Sequence, residues 1–318
     1  MAAYNRTGFR MKTYATPFTT LLLTGSLLGA SFTAGAGEHG DAHGDPMAKV
    51  TISSTEVADG IWMLTGQGGN MAVSIGEDGT FLIDDQFAPL HDKILAAITG
   101  LGGSQPKFLL NTHWHGDHTG GNEAMGEKGT IIVAHDNVRK RLTSDQFVKA
   151  FNMKSGPQPE AALPVITFND TITFHWNGQT VEADHVGMAH TDSDSYVLFT
   201  EANVVHTGDL FFNGFYPFLD PDSQGSLAGV ISGVNEILNR IDDETVVIPG
   251  HGPLGNKAQL TEYRDMLQTV YREVKSMKSQ GKTLDEVIAA QPTKAFDKKW
   301  GGGIFTAEQW LGIIYPTI

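Results

Sequence analysis

Residues 111–118 read NTHWHGDH and set His113, His115, Asp117 and His118 within six positions, using three of the chain's twelve histidines. Spaced i, i+2, i+4 and i+5, the four share no single face of a helix or a strand. A tight loop, with Gly116 permitting the bend, can aim them at two adjacent ions instead. Nitrogen and carboxylate donors without sulfur suit zinc first, with iron or manganese open to the same set. The chain has no cysteine, so thiolate ligation and disulfides are both excluded.

Two ions need more donors than this cluster holds, and apolar runs elsewhere end in suitable residues: FLLNTH, VVHTGD and VVIPGH. Strands lying side by side and pointing the same way would bring those ends to one edge of a sheet layer. Further candidates are therefore His190 in GMAHTDSD, Asp209 in HTGDLFF and His251 in PGHGP. The elements that must carry them are legible from pattern. KVTISSTEV, GIWMLTG, NMAVSIG and GTFLIDD read as a meander of strands from Lys49 onward, followed by KFLL and TIIVAH. TITFHW and QTVEADHV read as a hairpin about Asn177-Gly178, and SYVLFT and NVVHTGD as another pair. Leu90, Ile94, Ile98 and Leu101 mark one helical face; Leu227, Val230, Ile231, Val234, Ile237 and Leu238 mark a second. Leu260, Tyr263, Leu267, Val270, Tyr271 and Val274 mark a third, and two shorter helical segments close the chain. Residues 144–164 lack periodicity and read as a long surface loop or lid. Strand groups interleaved with amphipathic helices predict an α/β (α+β) architecture with packed sheets and helices outside.

HWHGDH, a later histidine followed by threonine, then TGD and then GHG resemble, in this order, the metallo-β-lactamase superfamily of metal hydrolases. FLIDD resembles the same family's first motif, with Asp84 at its structural aspartate, so the likeness runs from about Thr80 to His251. The resemblance implies a four-layer αββα sandwich with two metals at one edge. It implies that His113, His115 and His190 hold the first ion, that Asp117, His118 and His251 hold the second, and that Asp209 bridges both. It gives Asp84 no ligand role, leaving it to orient a ligand loop by hydrogen bonds. The implied chemistry is a water between two zinc ions that loses its proton near neutral pH and attacks a carbonyl carbon, with Asp117, His118 and Asp209 at the reacting centre. Thioester, ester, lactone and β-lactam are the bonds in view, in a small-molecule substrate.

Departures narrow the family. The β-lactamase subclasses that use a cysteine ligand do not apply, and Asp209 resembles the bridging residue of glyoxalase II-like thioester hydrolases and acyl-homoserine lactonases. Those lactonases have tyrosine where this chain has Phe212. Persulfide dioxygenases share parts of the motif set with a single iron, so a mononuclear non-haem iron dioxygenase is the alternative, beside a metal-binding protein without turnover. No GxSxG elbow offers a protein nucleophile. The aromatics Phe212, Phe215, Tyr216 and Phe218 form either an apolar wall beside the metals or core under the next helix, with Trp114 at the rim. Lys257 reads as a surface lysine at a helix start or as a holder of a substrate carboxylate.

At the N-terminus Arg6, Arg10 and Lys12 precede LLLTGSLLGASF and the small triplet Ala34-Gly35-Ala36. The pattern predicts a signal peptide over residues 1–36, starting from Met1 or Met11, and a periplasmic or secreted protein with no stable membrane span after cleavage. Residues 37–48, small and polar and including His39 and His43, read as a disordered lead-in to a hydrolase domain over 49–318. Loss of Arg6, Arg10 and Lys12 takes the formal charge from −14 to −17. Such a surface repels phosphate backbones, so no nucleic-acid partner is expected.

Overall fold

The computed structural model describes residues 47–318; the expected signal segment and the expected lead-in up to residue 46 lie outside them. The first sheet contains β1 (Ser53–Ala58), β2 (Ile61–Thr65), β3 (Met71–Gly76), β4 (Gly79–Ile83), β5 (Phe108–Asn111) and β6 (Ile131–His135). Next come a separate small hairpin, β7 (Gln146–Val148) with β8 (Met153–Ser155), and β9 (Ile166–Phe168), which closes the first sheet beside β6. The second sheet runs β10 (Thr171–Trp176), β11 (Gln179–His185), β12 (Ser195–Phe199), β13 (Val204–His206), β14 (Val246–Ile248) and β15 (Gly255–Asn256) in that spatial order. The helices are α1 (His91–Gly100), α2 (Gly116–Thr119), α3 (Asn122–Glu127), α4 (Asp136–Leu142), α5 (Leu227–Arg240), α6 (Lys257–Ser279), α7 (Leu284–Ala290), α8 (Asp297–Trp300) and α9 (Ala307–Ile314).

Strands buried on both faces read as continuous apolar runs, and strict alternation decides which layer each side chain joins. Phe81, Ile83, Leu110 and Val133 meet Val181, Ala183, Val197, Phe199, Val204 and Ile248 between the sheets. Their neighbours Leu82, Leu109 and Ile132 turn outward onto Ile94 and Ile98 of α1 and Met125 of α3. On the opposite side Leu198, Val205 and Val247 pack on Val230, Val234 and Ile237 of α5 and Leu260 and Leu267 of α6. Helix, sheet, sheet and helix are thus stacked as the αββα sandwich that the sequence pattern and the resemblance predict.

Direction matters most for the site. β4, β5 and β6 are parallel, and so are β13 and β14, which pair His206 with Ile248. The ends of β4, β5, β13 and β14 lead respectively into Asp84, His113, Asp209 and His251. Thr112 O accepts a 2.8 Å hydrogen bond from Ser195 N, and Gly250 O one of 2.7 Å from Asn70 N, tying the two sheets together at that edge. The Asn177-Gly178 hairpin is a two-residue turn with φ of 51° and 72°, the left-handed pair such a turn requires.

Three elements differ from expectation. Residues 144–164 are not a plain loop: they form the β7–β8 hairpin and 3-10 turns at Lys149–Phe151 and Glu160–Ala162. Strands of three residues are too short to show alternation. Helix α4 was not anticipated, because its seven residues DNVRKRL bury only Val138 and Leu142 and give no periodic face. The first strand begins at Ser53 rather than Lys49; the preceding turn is held by Lys93, whose Nζ donates to the carbonyls of Met47, Ala48 and Val50.

Candidate metal centre

All seven ligand candidates converge at this edge, in two groups: His113, His115, His190 and Asp209, and Asp117, His118 and His251. Within each group the potential donor atoms lie within 4.8 Å of one another. His113 lies in the bend that follows β5 and His115 in extended backbone after it, and the one-turn helix α2 then carries Asp117 and His118 around to the second group. Asp209 lies between the groups. Its Oδ1 is 3.2 Å from His118 Nε2, and its Oδ2 is 3.4 Å from both His190 Nε2 and His251 Nε2.

Hydrogen bonds on the outer side of each ring fix which nitrogen faces inward. His118 Nδ1 donates to Asp84 Oδ2 at 2.8 Å, and His190 Nδ1 donates to Phe218 O at 2.9 Å. His113 Nδ1 donates to Thr112 Oγ1 at 3.1 Å, while that hydroxyl donates onward to Asp84 Oδ2 at 2.8 Å. His115 uses the other nitrogen: Nε2 donates to Asp220 Oδ2 at 3.1 Å. Donation from the outer nitrogen leaves the inner nitrogen of His113, His115 and His190 as the acceptor that faces the site. His115 Nδ1 and His190 Nε2 face each other at 2.9 Å, and buried His113 Nε2 has no hydrogen-bond partner. Opposed lone pairs and orphaned acceptors are costly unless a cation sits among them. The donor set fits metal ions on this ground.

Electrostatics agree. Burial alone would push the His118 imidazolium down, but Asp209, Asp117 and Asp84 outweigh it and hold it well above the usual histidine value. His251 is likewise opposed by burial and raised to about 9 by Asp209 and Asp117. Burial would raise Asp209, yet His251, His118 and His113 keep it well below the carboxylate range; Asp117 is also lowered, by His118 and His251. Burial, with neighbouring imidazoles, drives His113 well down and His190 down. A site that attracts positive charge among carboxylates and keeps other imidazoles neutral is suited to cations.

Asp84 is fully buried with φ 58°, and its carboxylate also accepts from Thr112 N at 2.8 Å, at the turn into the histidine cluster. Sequence reasoning missed Asp220. It accepts from His115, and from Ser223 Oγ through a short hydrogen bond; Ser223 Oγ in turn accepts from Trp114 Nε1 at 3.1 Å. Two glycines were missed as well. A Cβ at Gly69 would overlap the His118 imidazole, and one at Gly250 would overlap the Asp209 carboxylate. The aromatic stretch serves both roles proposed for it. Phe212 and Phe218 are buried and also wall the cleft above the ligands, whereas Tyr216 stacks on Trp310 at 4.2 Å in the core. Lys257 is placed away from any substrate role, its Nζ donating to Ile241 O at 2.7 Å. His206 is a satisfied core histidine bonded to Asn70 O, and His185 stacks on His135 at 3.6 Å.

Known proteins resemble this chain in sequence and fold. A hydroxyacylglutathione hydrolase from Polaromonas sp. is 30% identical over 204 residues, 62% of this chain and 66% of that protein, so the chain spans just under two thirds of that relative's length. A metallo-beta-lactamase type 2 from Bacteroides fragilis is 22% identical over 241 residues, 70% of this chain and 87% of that protein. The structure of a metallo-beta-lactamase from Pontibacter korlensis superposes with a TM-score of 0.56 at 23% identity, covering 69% of this chain and 99% of that one, a likeness of fold. The family model described as Metallo-beta-lactamase superfamily matches residues 64–251, from β2 through the last ligand candidate. Because that match takes in more than half of the sequence and every candidate ligand, the chain belongs to the metallo-beta-lactamase superfamily.

Proposed function

We propose that this protein is an exported dinuclear zinc hydrolase that cleaves a carbonyl bond in a small molecule. The observation that carries the reading is Asp209, one carboxylate within 3.4 Å of histidine nitrogens from both groups. His113, His115 and His190 would hold one ion, Asp117, His118 and His251 the other, with Asp209 shared. A complete second group favours two ions over the single iron of a dioxygenase, and a shared carboxylate facing an open cleft favours turnover over storage. Bound there, a pair of zinc ions supplies Lewis acidity to a carbonyl oxygen and lowers the pKa of water.

The chain's own residues prepare that chemistry. Asp84, Thr112, Phe218 and Asp220 hold the rings in the tautomers that point lone pairs inward. Asp117 is the carboxylate most open to the cleft, with 27% of its side chain exposed, and its lowered pKa keeps it ionised as an acceptor that orients an entering water. Trp114, Phe212 and Phe218 shield the site from bulk solvent and strengthen its fields. The relatives' names, hydroxyacylglutathione hydrolase and metallo-beta-lactamase, support trying thioesters and β-lactams as substrates, beside esters and lactones.

Metal analysis of protein purified without added zinc, together with a panel of β-lactams, lactones and thioesters, tests the reading. About two zinc per chain with hydrolysis supports it; about one iron with oxygen uptake contradicts it. Export rests on residues 1–36 alone, and among the described residues no helix is long and apolar enough to cross a membrane. The mature N-terminus should be Gly37 or a neighbour, and full-length protein retained in the cytoplasm would sink that part.

A further inference from the structure

Resting on the hydrolase reading, we infer that the acyl group of the substrate is uncharged and aliphatic or aromatic. The cleft that reaches the ligand atoms is walled by Val148, Phe151, Met153, Phe212, Phe218 and Ile304; the rest of its lining is His115, Asp117, Asp209 and His251. Among the described residues it contains no lysine or arginine. Cations on the hairpin that roofs the cleft are directed elsewhere. Arg141, at its base, gives Asp192 two hydrogen bonds of 3.0 and 2.8 Å. Lys154 lies over the Phe147 ring at 5.6 Å, and Lys149 lines a separate groove with Asp222.

The apolar lining is continuous from the mouth to the ligands. Phe218 lies 5.7 Å from His115 and 5.6 Å from His190, and Phe151 of the hairpin lies 4.8 Å from Phe218. On the opposite wall Phe212 stacks on His251 at 5.0 Å. At the mouth Phe151, Met153 and Ile304 remain 39%, 50% and 51% exposed. Single exposed apolar side chains are ordinary, but three converging on one cleft leave a surface that a bound acyl chain would cover. A carboxylate carried into that lip would lose its hydration with no cation to replace it, in a chain of formal charge −14. The geometry therefore selects acyl groups by apolar bulk and rejects those with a distal charge.

Binding rather than turnover reads this out. Isothermal titration of the zinc-loaded full-length chain with linear hydroxamates, from acetohydroxamate to octanohydroxamate, anchors one end at the ions and extends the tail along the wall. Each added methylene should tighten Kd about threefold until the tail clears the mouth, and a terminal carboxylate on a member whose tail ends inside the lip should weaken it by about tenfold or more. Met153→Ser, at a half-exposed position of the lip, should flatten the dependence on chain length while circular dichroism stays that of the wild type. Equal Kd values along the series, or tighter binding of the carboxylate form, overturn the inference while leaving the zinc site standing. A sample that takes up no zinc and binds no hydroxamate overturns the metal reading and this inference with it.

Discussion

His115 Nδ1 and His190 Nε2 face each other at 2.9 Å, while the other nitrogen of each ring is engaged, His115 Nε2 with Asp220 and His190 Nδ1 with Phe218 O. The arrangement makes Asp220 a determinant of metal affinity although it faces away from the ligand atoms. Asp220→Asn replaces a charged acceptor with a neutral one and should weaken the first-group ion about ten- to hundredfold. The second group, which Asp220 does not touch, should keep its affinity. Competition with a chromophoric chelator, with circular dichroism to confirm the fold, measures both; equal affinities in wild type and variant contradict the role.

Asp84 is the corresponding support for the second group, and it also holds backbone. Asp84→Ala strands three buried donors, Thr112 N, Thr112 Oγ1 and His118 Nδ1, and places alanine at φ 58°. At about 1–3 kcal/mol per unsatisfied group, the metal-free protein should lose roughly 3 kcal/mol or more. Urea denaturation in the presence of chelator checks this, and a loss below about 1 kcal/mol would show that the turn into His113 stands without its carboxylate.

These two aspartates mark what sequence can and cannot disclose. Asp84 and the seven ligand candidates sit in short motifs at strand ends, where residue type, spacing and order survive as local text. Asp220 is 105 residues from His115 in sequence, so its role exists only once the chain after Asp209 has returned across the cleft. The long helices were legible because each buries one face, and the sheets because alternation separates Leu82 from Phe81 and Ile83. The roofing hairpin was not: its strands are three residues long and its second strand, Met153–Ser155, is exposed throughout. Phe212 and Phe218 looked equally like core and wall because a residue lining a narrow cleft is both.

Acidity of the metal-free site gives a pH signature. His251 is raised to about 9, above the roughly 6.5 of an unfolded histidine, so its stabilising interaction with Asp209 and Asp117 is full below about pH 6.5 and lost as pH rises through about 9. Asp209 is depressed, so its contribution is present above about pH 4 and lost on acidification. Stability of the chelator-treated protein should fall by on the order of 2 kcal/mol between about pH 6.5 and 9.5. Bound zinc, which replaces the protons on His118 and His251, should abolish that fall. Denaturation curves independent of pH in the metal-free protein would contradict the charged cluster.

The shared carboxylate is the centre of the account, and Asp209→Ser tests it most directly. Serine removes the group that lies within 3.4 Å of both histidine sets while leaving His113, His115 and His190 in place. Two nearby cations repel, and a carboxylate between them screens that repulsion. Zinc per chain, measured by elemental analysis after dialysis, should be about two for the wild type and about one for Asp209→Ser, with hydrolysis falling far more than stability. Two tightly held ions and near-normal turnover in the variant would contradict the bridging role.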